Sequence, residues 1–156
     1  YWITPAVISD DDFIIESTQR TLTDAVVRSC SLRLLPVGTV LLSSRAPIGK
    51  VAIAGVEMYC NQGFKNLICT EALNPIYVYY LLKFNSQYLN SLGRGATFKE
   101  ISKSIVDNIL IPVPPIQLQK EFAVFVEKTD KLKFKIKQSL EKLETLKKAL
   151  MQKYFG

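Results

Sequence analysis

PVPPIQLQKEFAVFVEKTDKLKFKIKQSLEKLETLKKALMQKYF, residues 112–155, is the stretch that decides the fold. Pro112-Val113-Pro114-Pro115 has no place inside a helix, because each proline lacks an N–H and its ring clashes with the preceding turn. At the start of a helix the same chemistry helps: Pro115 pre-sets φ for the first turn, where a missing N–H costs nothing. The forty residues from Ile116 to Phe155 contain neither Gly nor Pro. Lys, Glu, Gln and Leu, all good helix formers, dominate them. Leu118, Phe122, Phe125, Leu132, Ile136, Leu143, Leu146 and Leu150 follow one another at steps of four, three, seven, four, seven, three and four. That is heptad spacing, the pattern of a helix that pairs with another helix. Val126 and Leu140 widen the stripe. The expected pairing face is Phe122, Phe125, Leu132, Ile136, Leu140, Leu143, Leu146 and Leu150. A helix of this length reaches roughly 60 Å, against about 25–30 Å for the body that the remaining residues can build. The expectation is a head on a projecting rod, with residues 1–114 as the head and 115–156 as the rod.

The 156 residues allow one domain besides that helix. The opening Tyr1-Trp2-Ile3-Thr4 reads as the middle of a domain, so the chain is expected to be part of something longer. The three cysteines, Cys30, Cys60 and Cys69, show no CxxC spacing, and reduced cytosolic thiols are the plain reading. No apolar run is long enough to span a bilayer. Histidine is absent. That removes Ser-His-Asp and Cys-His catalysis, His-ligated metals and the commonest general base.

The net charge of +6 is unevenly placed. Residues 1–115 hold ten Lys/Arg and nine Asp/Glu, a net of +1, and residues 116–156 hold ten Lys and five acids, a net of +5. On the helix a lysine-rich face reads first as a solvated face. Between residues 28 and 103, nine cations face only Glu57, Glu71 and Glu100. If those cations share a face, they make a basic surface suited to phosphates.

The head reads as α+β. Phe13-Ile14-Ile15 predicts a short strand after the acidic Asp10-Asp11-Asp12 turn, and Thr23-Asp24 caps a short helix through Val27. Strands are predicted at Leu32–Leu35, Thr39–Ser44, Ile48–Ala54, Met58–Cys60 and Phe64–Cys69, forming a small, highly curved sheet or partial barrel. Asn74-Pro75 opens a helix, Asn as N-cap and Pro at N1. Its expected buried face is Tyr77, Tyr80, Leu81, Phe84, Tyr88 and Leu92, with a stop at Gly93-Arg94-Gly95. Ile105–Pro112 reads as a last strand.

Three stretches have side chains suited to nucleic acid. Ser43-Ser44-Arg45-Ala46-Pro47-Ile48-Gly49-Lys50 places hydroxyls, a guanidinium and an ammonium between two strands, suiting a phosphate or a base edge. The competing reading is a polar hairpin turn. It is not a P-loop, because the Gly and Lys spacing is wrong and no helix follows. Asn61-Gln62-Gly63-Phe64-Lys65 offers amides that pair with adenine, or simply a turn. Gly93 to Glu100 combines a glycine pair with Arg94, Thr97 and Lys99, suited to a phosphate backbone, or is only a helix stop and loop. The aromatics at helical spacing read as core before they read as a stacking platform for bases.

Taken in order, these pieces resemble a known family. Trp2-Ile3-Thr4-Pro5, Leu35-Pro36-Val37-Gly38-Thr39-Val40-Leu41, Ser43-Ser44-Arg45-Ala46-Pro47-Ile48-Gly49, Asn61-Gln62-Gly63-Phe64-Lys65-Asn66-Leu67, Gly95-Ala96-Thr97-Phe98-Lys99-Glu100-Ile101-Ser102 and Ile109–Pro115 followed by Ile116-Gln117-Leu118-Gln119 are similar to the DNA specificity subunit of type I restriction-modification systems. The resemblance covers one target recognition domain and the long helix after it. Leu118-Gln119 stands where the family often has Glu-Gln, and one recognition domain is present where the family typically has two. The resemblance implies a non-catalytic subunit that reads one half of a bipartite site in double-stranded DNA. It implies a second long helix, from the same subunit or a homodimer mate, that sets the gap between half-sites. It also implies methyltransferase subunits that use S-adenosylmethionine on adenine, a separate motor-nuclease subunit, no cofactor in this chain, and the cytoplasm of a bacterium or archaeon. Carried onto matching positions, Ser44, Arg45 and Lys50 are the first DNA-contact candidates. Asn61, Gln62 and Lys65 are the second set, and Arg94, Thr97 and Lys99 the third. Because recognition domains are the variable part of the family, the motifs that reveal it are expected to be scaffold more than base readers. Two other classes stay open: a scaffold protein with no DNA role, and the recognition domain of a fused methyltransferase or restriction enzyme.

Overall fold

The structure, a computed structural model, describes residues 1–9, 12–95 and 99–155. Asp10 and Asp11 of the acidic turn, and Thr97, lie outside the described residues. The chain forms two compact units, Tyr1–Gln119 and Lys120–Gly156.

In chain order the elements are β1 (Trp2–Ile3), β2 (Ile14–Ile15), α1 (Asp24–Ser29), β3 (Val40–Leu42), β4 (Val51–Ala54), β5 (Tyr59–Cys60), α2 (Pro75–Phe84), α3 (Ser86–Ser91), α4 (Lys103–Asp107) and α5 (Ile116–Phe155). The β structure is two small sheets, β1-β5 and β2-β4-β3. The hairpin β3-β4 is antiparallel, pairing Val40 with Ile53, Leu41 with Ala52 and Leu42 with Val51. β2 lies parallel on the other edge of β4, and β1 lies parallel to β5.

The hairpin is apolar throughout because both of its faces are covered. Side chains alternate across a strand, and here each face enters a different core. Val40, Leu42, Val51 and Ile53 pack with Val78, Tyr79 and Leu82 of α2, Leu89 of α3 and Ile101. Leu41, Ala52 and Ala54 pack with Ile3, Ile8, Ile15, Leu35, Met58 and Phe64.

Several expected strands shrink or disappear. Leu32–Leu35 contributes one bridge, Leu35 with Met58, and Phe64–Cys69 contributes two, Phe64 with Ser43 and Leu67 with Val40. Ile105–Pro112 is not a strand. Ser102 accepts the Ile105 N–H at 3.2 Å and caps α4, and Leu110 is 97% exposed. The Thr23 side chain makes no capping hydrogen bond, and α1 runs to Ser29.

The Asn74 cap is as expected: its Oδ1 accepts the N–H groups of Ile76 at 2.9 Å and Tyr77 at 3.4 Å. The helix face is as expected only in part: Tyr77, Tyr80 and Leu92 pack partly buried against the core, but the fully buried residues are Val78, Tyr79 and Leu82, and Phe84 is 78% and Tyr88 53% exposed. Two facts explain the shift. The helix breaks at Asn85, so positions beyond it follow a new axis. Tyr79 also satisfies its polar end inside the core: its hydroxyl donates to the Asp12 carbonyl at 3.0 Å and its ring packs 4.8 Å from Phe13.

Helix α5 is one uninterrupted run of 40 residues, as the absence of Gly and Pro requires. Leu132, Ile136, Leu140, Leu143, Leu146 and Leu150 are each 46–63% exposed. Phe125 is exposed, Phe122 is intermediate, and Val126, expected to widen the stripe, is buried. The heptad seam has two polar positions, Thr129 and Ser139. Each hydroxyl donates to its own helix four residues back, Thr129 to Phe125 and Ser139 to Lys135, both at 3.0 Å. Neither therefore asks a partner helix for a hydrogen bond.

Candidate nucleic-acid interface

Between β3 and β4 the chain closes on itself. Ser43 is fully buried. Its N–H donates to the Lys50 carbonyl at 2.8 Å, and its carbonyl accepts the Gly49 N–H at 3.1 Å. Its hydroxyl donates to the Pro47 carbonyl at 2.7 Å and accepts the Lys50 N–H at 2.8 Å. Gly49 sits at φ +91°, and a Cβ there would lie 3.1 Å from the Ser86 carbonyl oxygen. Backbone conformation and space both call for glycine. The closed connection leaves Arg45-Ala46-Pro47 exposed at its tip.

Beside that tip two of the candidate residues, Arg45 and Lys65, converge on one carboxylate, and Ser44 and Arg94 join the cluster through Lys65 and the Glu100 backbone. Glu100 takes Arg45 Nε on Oε2 at 3.1 Å and Lys65 Nζ on Oε1 at 3.2 Å. Lys65 Nζ also lies 3.4 Å from Ser44 Oγ. Glu100 exchanges both backbone hydrogen bonds with Arg94, at 3.0 and 3.1 Å, and pairs with Arg45 in a second bridge. Ser44 is fully buried, its N–H on the Gly63 carbonyl at 2.8 Å and its carbonyl accepting from the Ile101 N–H at 2.9 Å. Its backbone is scaffold. Hydrogen bonds from Lys65 and then from Arg45 hold the Glu100 carboxyl below the usual carboxylate range, so it is ionised at neutral pH. The Arg45 side chain is 54% exposed and the Lys65 side chain 22%.

The other candidates lie elsewhere in the bonding pattern. The Lys50 ammonium donates to the Ile8 carbonyl at 2.6 Å, which ties the loop after β1 to the hairpin. Asn61 uses its Oδ1 on the Gly63 N–H at 3.0 Å and so makes the turn. Gln62 and Lys99 are exposed.

Glu100 stands in one of the family motifs, yet sequence reasoning gives it no role. Its signal is its position among so many cations. Arg33 and Lys103 belong to the cation-rich span of residues 28–103, and no motif singles them out. With Lys65 they line an open groove of about 550 Å³. Asn66 lies in the same groove, its Nδ2 3.0 Å from Cys60 Sγ and its buried Oδ1 without a hydrogen-bond partner among the described residues. Burial pushes the Cys60 thiol up, so it stays protonated at neutral pH. Among the described residues no group of His, Cys, Asp or Glu is arranged to hold a metal ion. No helix among them is long and apolar enough to cross a membrane.

Comparison with known proteins gives a consistent result. Residues 2–147 match the family model of the type I restriction modification DNA specificity domain. Over 157 aligned residues, 99% of the chain and 36% of the relative, there is 38% identity to the type I restriction enzyme MjaIX specificity subunit of Methanocaldococcus jannaschii. The MjaVIII specificity subunit of the same organism is 34% identical over 85 residues, 54% of the chain and 20% of the relative. Among solved structures, a chain from a study of complex assembly and conformational transition in the type I R-M system superposes with a TM-score of 0.70 at 21% identity, covering 97% of this chain and 36% of that one. The HsdS subunit of Thermoanaerobacter tengcongensis gives 0.60 at 23% identity, covering 78% and 30%. The structural likenesses bear on the fold: small mixed sheets, short helices and one long helix. The chain spans about a third or less of the length of the curated relatives it matches.

Proposed function

The chain belongs to the type I restriction-modification DNA specificity family, and from that premise we propose that it reads one half of a bipartite site in double-stranded DNA and directs adenine methylation and restriction by partner subunits. The observation that carries the reading is the family match across residues 2–147, which takes in every motif around Arg45, Lys65 and Glu100. The geometry fits the role. Arg45 and Arg94 are exposed cations fixed to one carboxylate-centred cluster by backbone bridges. Rigid placement of this kind is what phosphate positioning and groove contact need. The chain itself would be non-catalytic. Methyltransferase subunits would bring S-adenosylmethionine, a motor-nuclease subunit would cut, and the whole would work in the cytoplasm of a bacterium or archaeon. The exposed stripe of α5 would pair with a second long helix, from the same subunit or from a second copy.

A titration against salt tests the DNA contact. Arg45→Ala/Arg94→Ala is expected to weaken binding to duplex DNA and to reduce the slope of log K against log salt by about 2, one for each phosphate that an arginine no longer neutralises. Both side chains are exposed, so the variant should keep its circular dichroism and melting temperature. A slope equal to that of the unaltered chain would remove both arginines from the interface.

A further inference from the structure

Glu100 is a carboxylate at the centre of a surface meant, on the DNA-reading role, for a polyanion. Bare electrostatics makes that costly: a negative charge there repels phosphates and cancels one of the three positive charges of Arg45, Lys65 and Arg94. It is also held more firmly than an incidental surface ion pair. Each oxygen takes a different cation, at 3.1 and 3.2 Å. Its backbone is bonded both ways to Arg94, and the next residue, Ile101, is fully buried with its N–H on Ser44. Its partners come from distant parts of the chain, Arg45 at the β3-β4 tip and Lys65 after the Gly63 turn.

The donors left over are informative. Arg45 spends Nε on Glu100, which leaves its two terminal Nη groups. Lys65 spends donors on Glu100 and Ser44, which leaves one N–H. The carboxylate thus fixes the direction of both cations without exhausting them, while it lowers the local net charge.

We propose that Glu100 is the positioning residue that sets selectivity at this surface: it lowers indiscriminate attraction for phosphates and orients Arg45 and Lys65, so that tight binding requires a duplex that fits. The inference rests on the DNA-reading role proposed for the chain and adds a part to it that the motifs do not assign.

The test is Glu100→Gln in the full chain, with two readouts. The first is binding to a duplex of scrambled sequence across a range of salt. Glu100→Gln is expected to bind this duplex roughly 3- to 10-fold more tightly at low salt, with a slope steeper by about 1. The second is enrichment from a random duplex pool, which should become weaker and less uniform than with the unaltered chain. A merely structural carboxylate would move neither slope nor enrichment apart from a drop in melting temperature. Unchanged or reduced affinity and slope, in a variant that melts normally, would overturn the proposal. If Glu100→Gln fails to fold, Glu100→Asp keeps the charge and withdraws it by one methylene. Unchanged scrambled-duplex slope with reduced enrichment is then expected, and enrichment equal to the unaltered chain would overturn the positioning role. If the unaltered chain enriches nothing, the DNA-reading role fails. The scrambled-duplex slopes still decide whether Glu100 restrains phosphate binding.

Discussion

Gln119→Leu is expected to lower the stability of the Tyr1–Gln119 unit by about 2–4 kcal/mol, since a backbone group left unpaired away from water costs roughly 1–3 kcal/mol. Gln119 is fully buried in the first turns of α5. Its Oε1 accepts the Asn74 N–H at 2.9 Å, and its Nε2 donates to the Ala72 carbonyl at 3.0 Å and the Pro114 carbonyl at 2.7 Å. Leucine fills similar space and satisfies none of these groups. The expected cost stays below the sum of three full penalties because Ala72 is exposed and its carbonyl can turn to water. For a chain of this size it corresponds to roughly 5–15 °C in melting temperature. Gln119→Glu should also destabilise, because a carboxylate accepts from Asn74 but meets two carbonyl oxygens where the amide had donated. Denaturant melts of the two variants check this. A Gln119→Leu chain that melts with the unaltered protein would show that water replaces the amide and that the clamp is not structural.

The second large effect concerns α5. If α5 pairs with a second copy of itself, as one form of the proposed pairing has it, Leu143→Ala/Leu146→Ala is expected to raise the dissociation constant by about four orders of magnitude. Each leucine removed takes away about 1.5 kcal/mol or more of apolar burial, and a pair of identical helices gives up four. Both leucines are well exposed, at 63% and 57%. They lie in the seam whose polar positions, Thr129 and Ser139, are already satisfied within the helix. The lysine-rich remainder of α5 should stay solvated, so helix content in the paired state is the quantity that falls, together with mass by sedimentation equilibrium. Loss of pairing with no loss of DNA affinity for a single half-site would separate the helix's role from the head's. Pairing that survives the double substitution would place the seam elsewhere on the helix.

How much of the fold is legible in the sequence depends on how local the determining interactions are. The length of α5, the Asn74 cap and the β3-β4 hairpin follow from neighbours in sequence, and each is readable. Of the two-residue strands, Ile14–Ile15 and Tyr59–Cys60 fall inside expected strands, but Trp2–Ile3 does not, and the pairings of Ile14 with Ile53 and Trp2 with Tyr59 are set by long-range register that leaves no periodic signal. The face of α2 is only partly legible: Tyr77 and Tyr80 do pack on the core, but the break at Asn85 and the Tyr79–Asp12 hydrogen bond, which move its centre to Val78, Tyr79 and Leu82, both come from outside the helix pattern. The candidate site divides the same way. Arg45, Lys65 and Arg94 stand out as cations in motifs. That Glu100 joins them is hidden by sequence separations of 55 residues to Arg45 and 35 to Lys65. Lys50 reads as a free ammonium, yet Ile8, 42 residues away, is its acceptor. Much of what makes the family visible, such as Ser43, Ser44, Gly49, Asn61 and Gln119, holds the scaffold through buried or turn-forming bonds. On the DNA-reading role proposed for the chain, the residues that choose a sequence are to be sought on the exposed tip and in the groove lined by Lys65, Arg33 and Lys103.

Selection from a random duplex pool tests sequence-specific DNA recognition by this chain. The chain would be mixed with the methyltransferase subunit proposed as its partner at moderate salt, because non-specific phosphate binding masks sequence preference when salt is low. The expected result is enrichment of a short half-site, or of two copies at one fixed spacing when α5 is paired. A pool that stays random, with the protein complex shown to have formed, would contradict it.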